Sequence, residues 1–287
     1  MLISLSYIFL AGMFLSWLCK KMGLPGLLGM IFTGILLGPY CLGLIDSSLL
    51  NISSELRKIA LIIILMRAGL NLDLSDLKRV GRPAILMCFV PACFEMVGMI
   101  LAPKLLGISL LDAAIMGSVV AAVSPAVIVP KMLQLMDEGY GTKESIPQLI
   151  LAGASVDDVF VIVMFTAFLG LAQGESVDIL SFVNIPLSIL TGIICGALLG
   201  KGFAIFFKKN HMRDTVKILI LLSVAFILVT LEDALPIPFS GLIAIMFMGI
   251  FLQRNHSVVS KRLSVKFNKL WVGAEVLLFV LVGACVN

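Results

Sequence analysis

Apolar residues come in ten long blocks along this chain, and the polar positions between them come in short clusters. Windows of roughly 20 apolar residues mark helices that cross a bilayer. Here they fall near 2–19, 24–44, 55–72, 83–106, 109–135, 146–172, 181–207, 214–232, 237–253 and 268–286. The connections are short, which predicts that helices adjacent in sequence are mostly adjacent in space. The first block is apolar from Leu2, with no basic lead-in and no small-residue cleavage site before a polar chain. It predicts a first span and not a signal peptide. The pattern predicts an all-α polytopic membrane protein with about ten transmembrane helices.

Composition sharpens this. Of 287 residues, 60% are hydrophobic and 13% charged, against roughly 45–50% and about 25% in a soluble domain. A sizeable water-exposed domain is excluded. The net charge of +4 is spread over the connections, so it speaks to topology and against a nucleic-acid partner. Sixteen of the 21 Lys and Arg lie in the odd-to-even connections or in the span ends beside them, three (Arg57, Lys58, Lys104) in or beside the others, and Arg67 and Lys201 deeper within spans. By the positive-inside rule the N-terminus is outside and the basic loops cytoplasmic, in a multi-pass protein of the cell (plasma or inner) membrane. Six cysteines lie singly, with no metal or redox spacing, and read as small packing residues. His211 and His256 read as solvated loop residues. No cofactor is expected.

A repeat runs through the blocks. Gly26–Leu37 matches Gly241–Leu252 at an offset of 215, with six of twelve positions identical, and Ile64–Asn71 matches Val280–Asn287 at 216. Span 2 then maps onto span 9. Seven crossings separate the copies, an odd number, so the copies are inverted, as in many secondary transporters with a midplane site. The expected domains are a first six-helix repeat at 1–172, a linker helix at 173–213 and a partial second repeat of panel helices at 214–287. Within the first, 1–72 forms a panel. The core is 83–172, with a broken helix at 109–135 and an Asp-Asp helix at 146–172. Counterparts of spans 4–6 would follow Asn287, so the second repeat is expected to be incomplete, as in a C-terminally truncated fragment that need not transport by itself.

Chemistry concentrates in spans 5 and 6. Asp157 and Asp158 sit in an apolar run from Ile146 to Leu171, where each carboxylate costs at least ~2.5–3.5 kcal/mol on insertion scales and usually marks an ion or proton pathway. Span 5 carries Pro125 and Pro130, each of which removes an amide donor. Freed backbone groups at that depth are tolerated only against protein or a wet cavity. Small residues around Val123 and Ser124, and Ala152–Ser155 one turn before the acids, allow close approach. Asp158, Asp157, Ser124, Ser155 and freed carbonyls are therefore the candidate ligands of a hard monovalent cation. Burial and a like-charged neighbour both favour a bound proton or cation on the pair, so the two compete for the same oxygens. Arg67 and Glu95 are a possible intramembrane ion pair, and Glu275 a helix-packing residue.

Four stretches, in order, resemble the motifs of the monovalent cation:proton antiporters, the sodium/proton exchangers. They are Arg67–Asp73, Ala122–Val127, Gly153–Asp158 and Ala274–Phe279. The resemblance covers the whole chain, and the Asp-Asp pair is its most specific part. It implies a sodium/proton antiporter-like fold and exchange of Na⁺, or Li⁺ or K⁺, for protons. It gives Asp158 the principal ligand role and places the chain in the electrogenic Asp-Asp branch. A mobile core sliding against a panel that forms a homodimer is implied as well. Many members carry a Thr and an acidic residue where this chain has Val123 and Ser124. The alternatives are a sodium-coupled symporter of similar fold, a non-transporting fragment, and an intramembrane aspartyl protease. The protease fails on geometry, because its two acids must face each other whereas neighbours on one helix point about 100° apart. No enzyme is expected.

Overall fold

In the first helix the inside–outside rule of soluble proteins is inverted. Helix α1 (Leu2–Lys21) buries Ser4, Ile8, Gly12 and Ser16, one residue in four, while Leu10 is 73% and Phe14 59% exposed. Lipid tails are as apolar as Leu, so nothing is gained by hiding large side chains from them. Helix contacts go instead to small residues that let backbones approach.

A computed structural model describes residues 1–72, 81–87, 89–103, 107–172, 179–234 and 237–286, and every regular element among them is helical. After α1 come α2 (Gly26–Leu37), α3 (Ser47–Asn51), α4 (Ser53–Asn71), α5 (Arg82–Met87) and α6 (Val90–Leu101). Then follow α7 (Leu110–Ala121), α8 (Pro125–Asp137), α9 (Ile146–Ala172), α10 (Ile179–Lys209), α11 (Asp214–Ala234), α12 (Gly241–Asn255) and α13 (Ser257–Gly283). Among the described residues three helices are long and apolar enough alone to cross a membrane, Leu2–Lys21, Pro186–Lys209 and Asp214–Glu232.

Three elements differ from the sequence reading. The second span is helical only over Gly26–Leu37 and then turns at Gly38. The fourth is divided: Pro91, in the first turn of α6, has no N–H to bond back toward Met87, and the chain leaves helical geometry at Phe89. The basic stretch after the ninth span is not a loop. Helix α13 starts at Ser257, directly after His256, and carries Lys261, Arg262, Lys266 and Lys269 as helical residues.

The chain divides into two compact units, Met1–Ile64 with Val265–Asn287, and Leu65–Ser264. In the first, α2 crosses α13 at Gly34, where a Cβ would lie 2.7 Å from the Ala284 amide nitrogen. In the second, α12 crosses the end of α4 at Gly249, where a Cβ would lie 2.9 Å from the Gly69 carbonyl carbon and the Leu70 amide nitrogen. Gly34 and Gly249 occupy equivalent positions of the repeat, and so do the segments they meet. Each copy of the short helix thus packs on the other copy's next helix. Near the second crossing, the Asn71 amide donates to Ser264 Oγ at 2.6 Å and Ser260 Oγ donates to the Leu70 carbonyl at 2.9 Å.

The second unit holds a feature the sequence analysis passed over. Gly192, Gly196 and Gly200 on α10 lie against the Ser240, Ala244 and Met248 carbonyls on α12, in step and in parallel. The Glu232 carboxylate accepts from the Gly241 amide at 2.9 Å and caps α12. A side chain on the glycine seam has no room. Gly196→Val should cost about 1–3 kcal/mol by overpacking, visible as a lowered unfolding midpoint in detergent, whereas Gly202→Ala, which faces open space, should leave it unchanged.

Candidate functional site

Helix α7 ends at Ala121 and α8 begins at Pro125, with Ala122–Ser124 extended between them. The cause is local. A residue before proline is pushed out of the helical region, and Ser124 sits at φ −75°, ψ 110°. Pro125 itself opens a helix, a position where its missing N–H costs nothing. Pro130 lies inside α8, which runs through it to Asp137, so the interruption comes from the three residues before Pro125.

A break at this depth leaves amides without helical acceptors. The Val123 N–H donates to the carboxylate of Asp157 on α9, which packs against both α7 and α8. Asp157 is 3% exposed, and its buried Oδ2 has no hydrogen-bond partner among the described residues. One side of this carboxylate therefore meets the broken helix, and the other meets no donor among those residues. Buried polar atoms are almost always paired. An unpaired carboxylate oxygen is stabilised by whatever brings positive charge to it, a proton or a cation.

Glu95 on α6 is exposed and near enough to act on Asp157 electrostatically. The sequence analysis offered Arg67 as its partner; the charged group described near Glu95 is Asp157. Glu95 is instead flanked by Ala92 and Met96, which bury against Ala121, at the end of α7, and Val161, one turn after Asp157. Phe160, Met164 and Phe168 pack on this cluster, and Phe89 meets Phe160 edge to face at 5.3 Å. An apolar wall thus stands one turn from the acid and keeps the local dielectric low.

Of the other candidates, Ser124 is exposed and its hydroxyl caps nothing, and Val123 is half-buried in the break. The side chains of Asp158 and Ser155 lie outside the described residues, though both stand on α9 beside Asp157. No group of three or more His, Cys, Asp or Glu among the described residues could hold a metal ion. The nearness of Glu95 to Asp157 was missed. Its signal was present, since Glu95 is the one acid in the middle of the fourth span.

The model of the family described as sodium/hydrogen exchanger, transmembrane, matches residues 6–287. This chain belongs to that family. It is similar to the Mus musculus sodium/hydrogen exchanger 9B2, with 34% identity over 277 residues, 92% of this chain and 49% of that protein. The Homo sapiens sodium/hydrogen exchanger 9B2 is 36% identical over 202 residues, 68% of this chain and 36% of that protein. The chain thus spans about half the length, or less, of the exchangers it matches. Its fold is that of the sodium proton antiporter MjNhaP1 from Methanocaldococcus jannaschii at pH 8, with a TM-score of 0.78 at 23% identity over all of this chain and 71% of that one. An exchanger-family chain with this fold is a multi-pass, all-helical membrane protein.

The Oδ2 of Asp157 yields a prediction. Asp157→Asn keeps an acceptor for the Val123 amide and removes the charge. Without added cation it should stabilise the fold by about 1–3 kcal/mol at neutral pH, read from unfolding in detergent. Asp157→Leu strands the amide and should fall below the Asn variant by a similar amount.

Proposed function

We propose that this exchanger-family chain carries the ion site of a secondary transporter that exchanges a monovalent cation, Na⁺ foremost, for protons. The observation that carries this reading is the buried Oδ2 of Asp157, without a partner among the described residues, beside a broken helix. A proton or a dehydrated cation satisfies it, and the two exclude each other. Transport of one way and then the other follows when the site faces the two sides of the membrane in turn. Asp158, next in sequence, shares the load, and the pair titrates as a unit.

The remaining assignments belong to the same reading. Ser124 and Ser155 are candidate ligands that complete the cation's shell, and the Val123 amide orients Asp157. Residues 1–172 and 214–287 are the two repeat units, joined by a linker at 173–213. The reciprocal glycine crossings at Gly34 and Gly249 support that division. The N-terminus is outside and the basic connections cytoplasmic in the cell membrane, as the Lys and Arg asymmetry requires. Panel helices form the homodimer contact. The chain is a carrier with cation, proton and lipid as its partners, and it needs no cofactor.

The test is transport by the protein reconstituted into vesicles with a pH-sensitive dye inside. A Na⁺ pulse should move protons, Li⁺ and K⁺ pulses should rank its selectivity, and Asp158→Asn should abolish the signal. Asp157→Asn should alter the number of protons per cycle while some exchange survives. In detergent, Na⁺ should raise the unfolding midpoint of the wild type and not of Asp158→Asn. Undiminished exchange by Asp158→Asn would remove the Asp pair from the mechanism.

A further inference from the structure

Away from the broken helix, the ends of α10 and α12 and the starts of α11 and α13 surround an open pocket of about 730 Å³, within the size range of small-ligand sites. Its lining is cationic. Lys208, Arg213, Lys217 and Arg262 face it, with Asp214 as the one carboxylate among its lining residues. Asp214 Oδ1 is 3.3 Å from Arg262 Nη2 and 3.7 Å from Lys217 Nζ, so one negative charge is shared between two cations. Lys217 is 4% exposed, with its ammonium also 5.5 Å from the Phe207 ring centroid. Lys208 lies in the last turn of α10, where the helix dipole offsets part of its charge. Arg213 makes no ion pair among the described residues.

Positive charge therefore exceeds what the protein neutralises, in a cavity that holds part of it out of water. Lys217 is the buried member of the group, and a buried ammonium that shares its one carboxylate with a second cation favours a further anion beside it. Two further features have the same sign. The amides of the first turns of α11 and α13 begin at the pocket, and such amides favour negative ligands. His256, half-buried at the α12–α13 junction, is held below the usual histidine range by burial and by Lys208, Lys217 and Arg262.

We propose that this pocket binds a phosphate-bearing anion, with Arg213 and Arg262 as the guanidinium forks that grip it and Lys208 and Lys217 as the supporting charge. Arginine matches the planar geometry of phosphate oxygens with paired N–H donors. The phosphate comes from solution or from a lipid headgroup, and the chemistry of the site is the same for both. It lies on the side of the basic connections, where anionic headgroups draw polybasic segments. The site makes no use of Asp157 and does not depend on the transport reading.

Two arms separate the sources. Purified protein in detergent is titrated with inorganic pyrophosphate, with chloride at matched ionic strength as control. The same protein is placed in nanodiscs of phosphatidylcholine with and without phosphatidic acid. Unfolding midpoint is the readout, since a ligand that binds only the folded state raises it. A rise with pyrophosphate assigns the soluble ion, and a rise with phosphatidic acid alone assigns the headgroup. Either must weaken by about tenfold in apparent affinity per removed cation in Arg213→Gln/Arg262→Gln. Lys208→Gln/Arg213→Gln, both exposed, serves if the first pair misfolds.

A second readout is the pH dependence. Without the anion, His256 binds a proton less readily folded than unfolded, so stability is full above about 6.5 and falls as pH drops below it. An anion facing His256, His211 and the four cations raises the folded-state value of His256, and the loss on acidification should shrink. Equal responses in wild type and both variants, or no rise above chloride in either arm, would overturn the proposal.

Discussion

The hydrogen bond from the Val123 amide to Asp157 is the contact on which the site depends. A helix interrupted in a membrane interior must find acceptors for its stranded amides, because no water is there to serve. A carboxylate in the same place must find donors. Each group alone would be a liability, and each offsets part of the other's cost. The second oxygen of Asp157 has no partner among the described residues and is where the proposed mobile charge would bind. The apolar cluster of Ala92, Met96, Ala121 and Val161 sharpens the effect by keeping the surroundings weakly polarisable.

The scaffold around this contact is held by close backbone approach more than by side-chain bulk. Gly34 and Gly249 mark the two equivalent crossings of the repeat, one in each compact unit. Their match shows a chain that has used the same kind of two-helix join in each unit. Large apolar residues such as Leu10 and Phe14 face outward, which is where hydrocarbon solvent puts them.

Much of this was legible in the sequence, because bilayer thickness makes apolar length a strict signal. The apolar blocks, the interruption before Pro125 and the burial of an acid at Asp157 could all be read there. What could not be read depended on who meets whom in space. Arg67 and Glu95 looked like partners because they are opposite charges at depth, yet Glu95 lies near Asp157, across a helix contact that no spacing announces. The basic stretch after Arg254 looked like a loop because hydropathy measures apolarity and not backbone; Ser257–Gly283 is one helix whose first turns are amphipathic. Pro130 looked like a second interruption, but α8 tolerates it. The seam Gly192–Gly196–Gly200 had a signal in its spacing of four, masked by the surrounding apolar residues.

That seam fixes more than the distance between α10 and α12. Three notches at equal spacing meet three carbonyls at the same spacing, so the two helices mesh like a rack against its pawl. A slip of one or two residues would drive Cβ-bearing residues such as Ile193 or Ala197 into backbone. A slip of four, about 6 Å along the axis, would leave glycine opposite only two of the three carbonyls and set Ser188 or Ala204 against the third. The contact therefore has one register in which all three notches are filled, and any axial displacement of α10 along α12 must lose at least one of them.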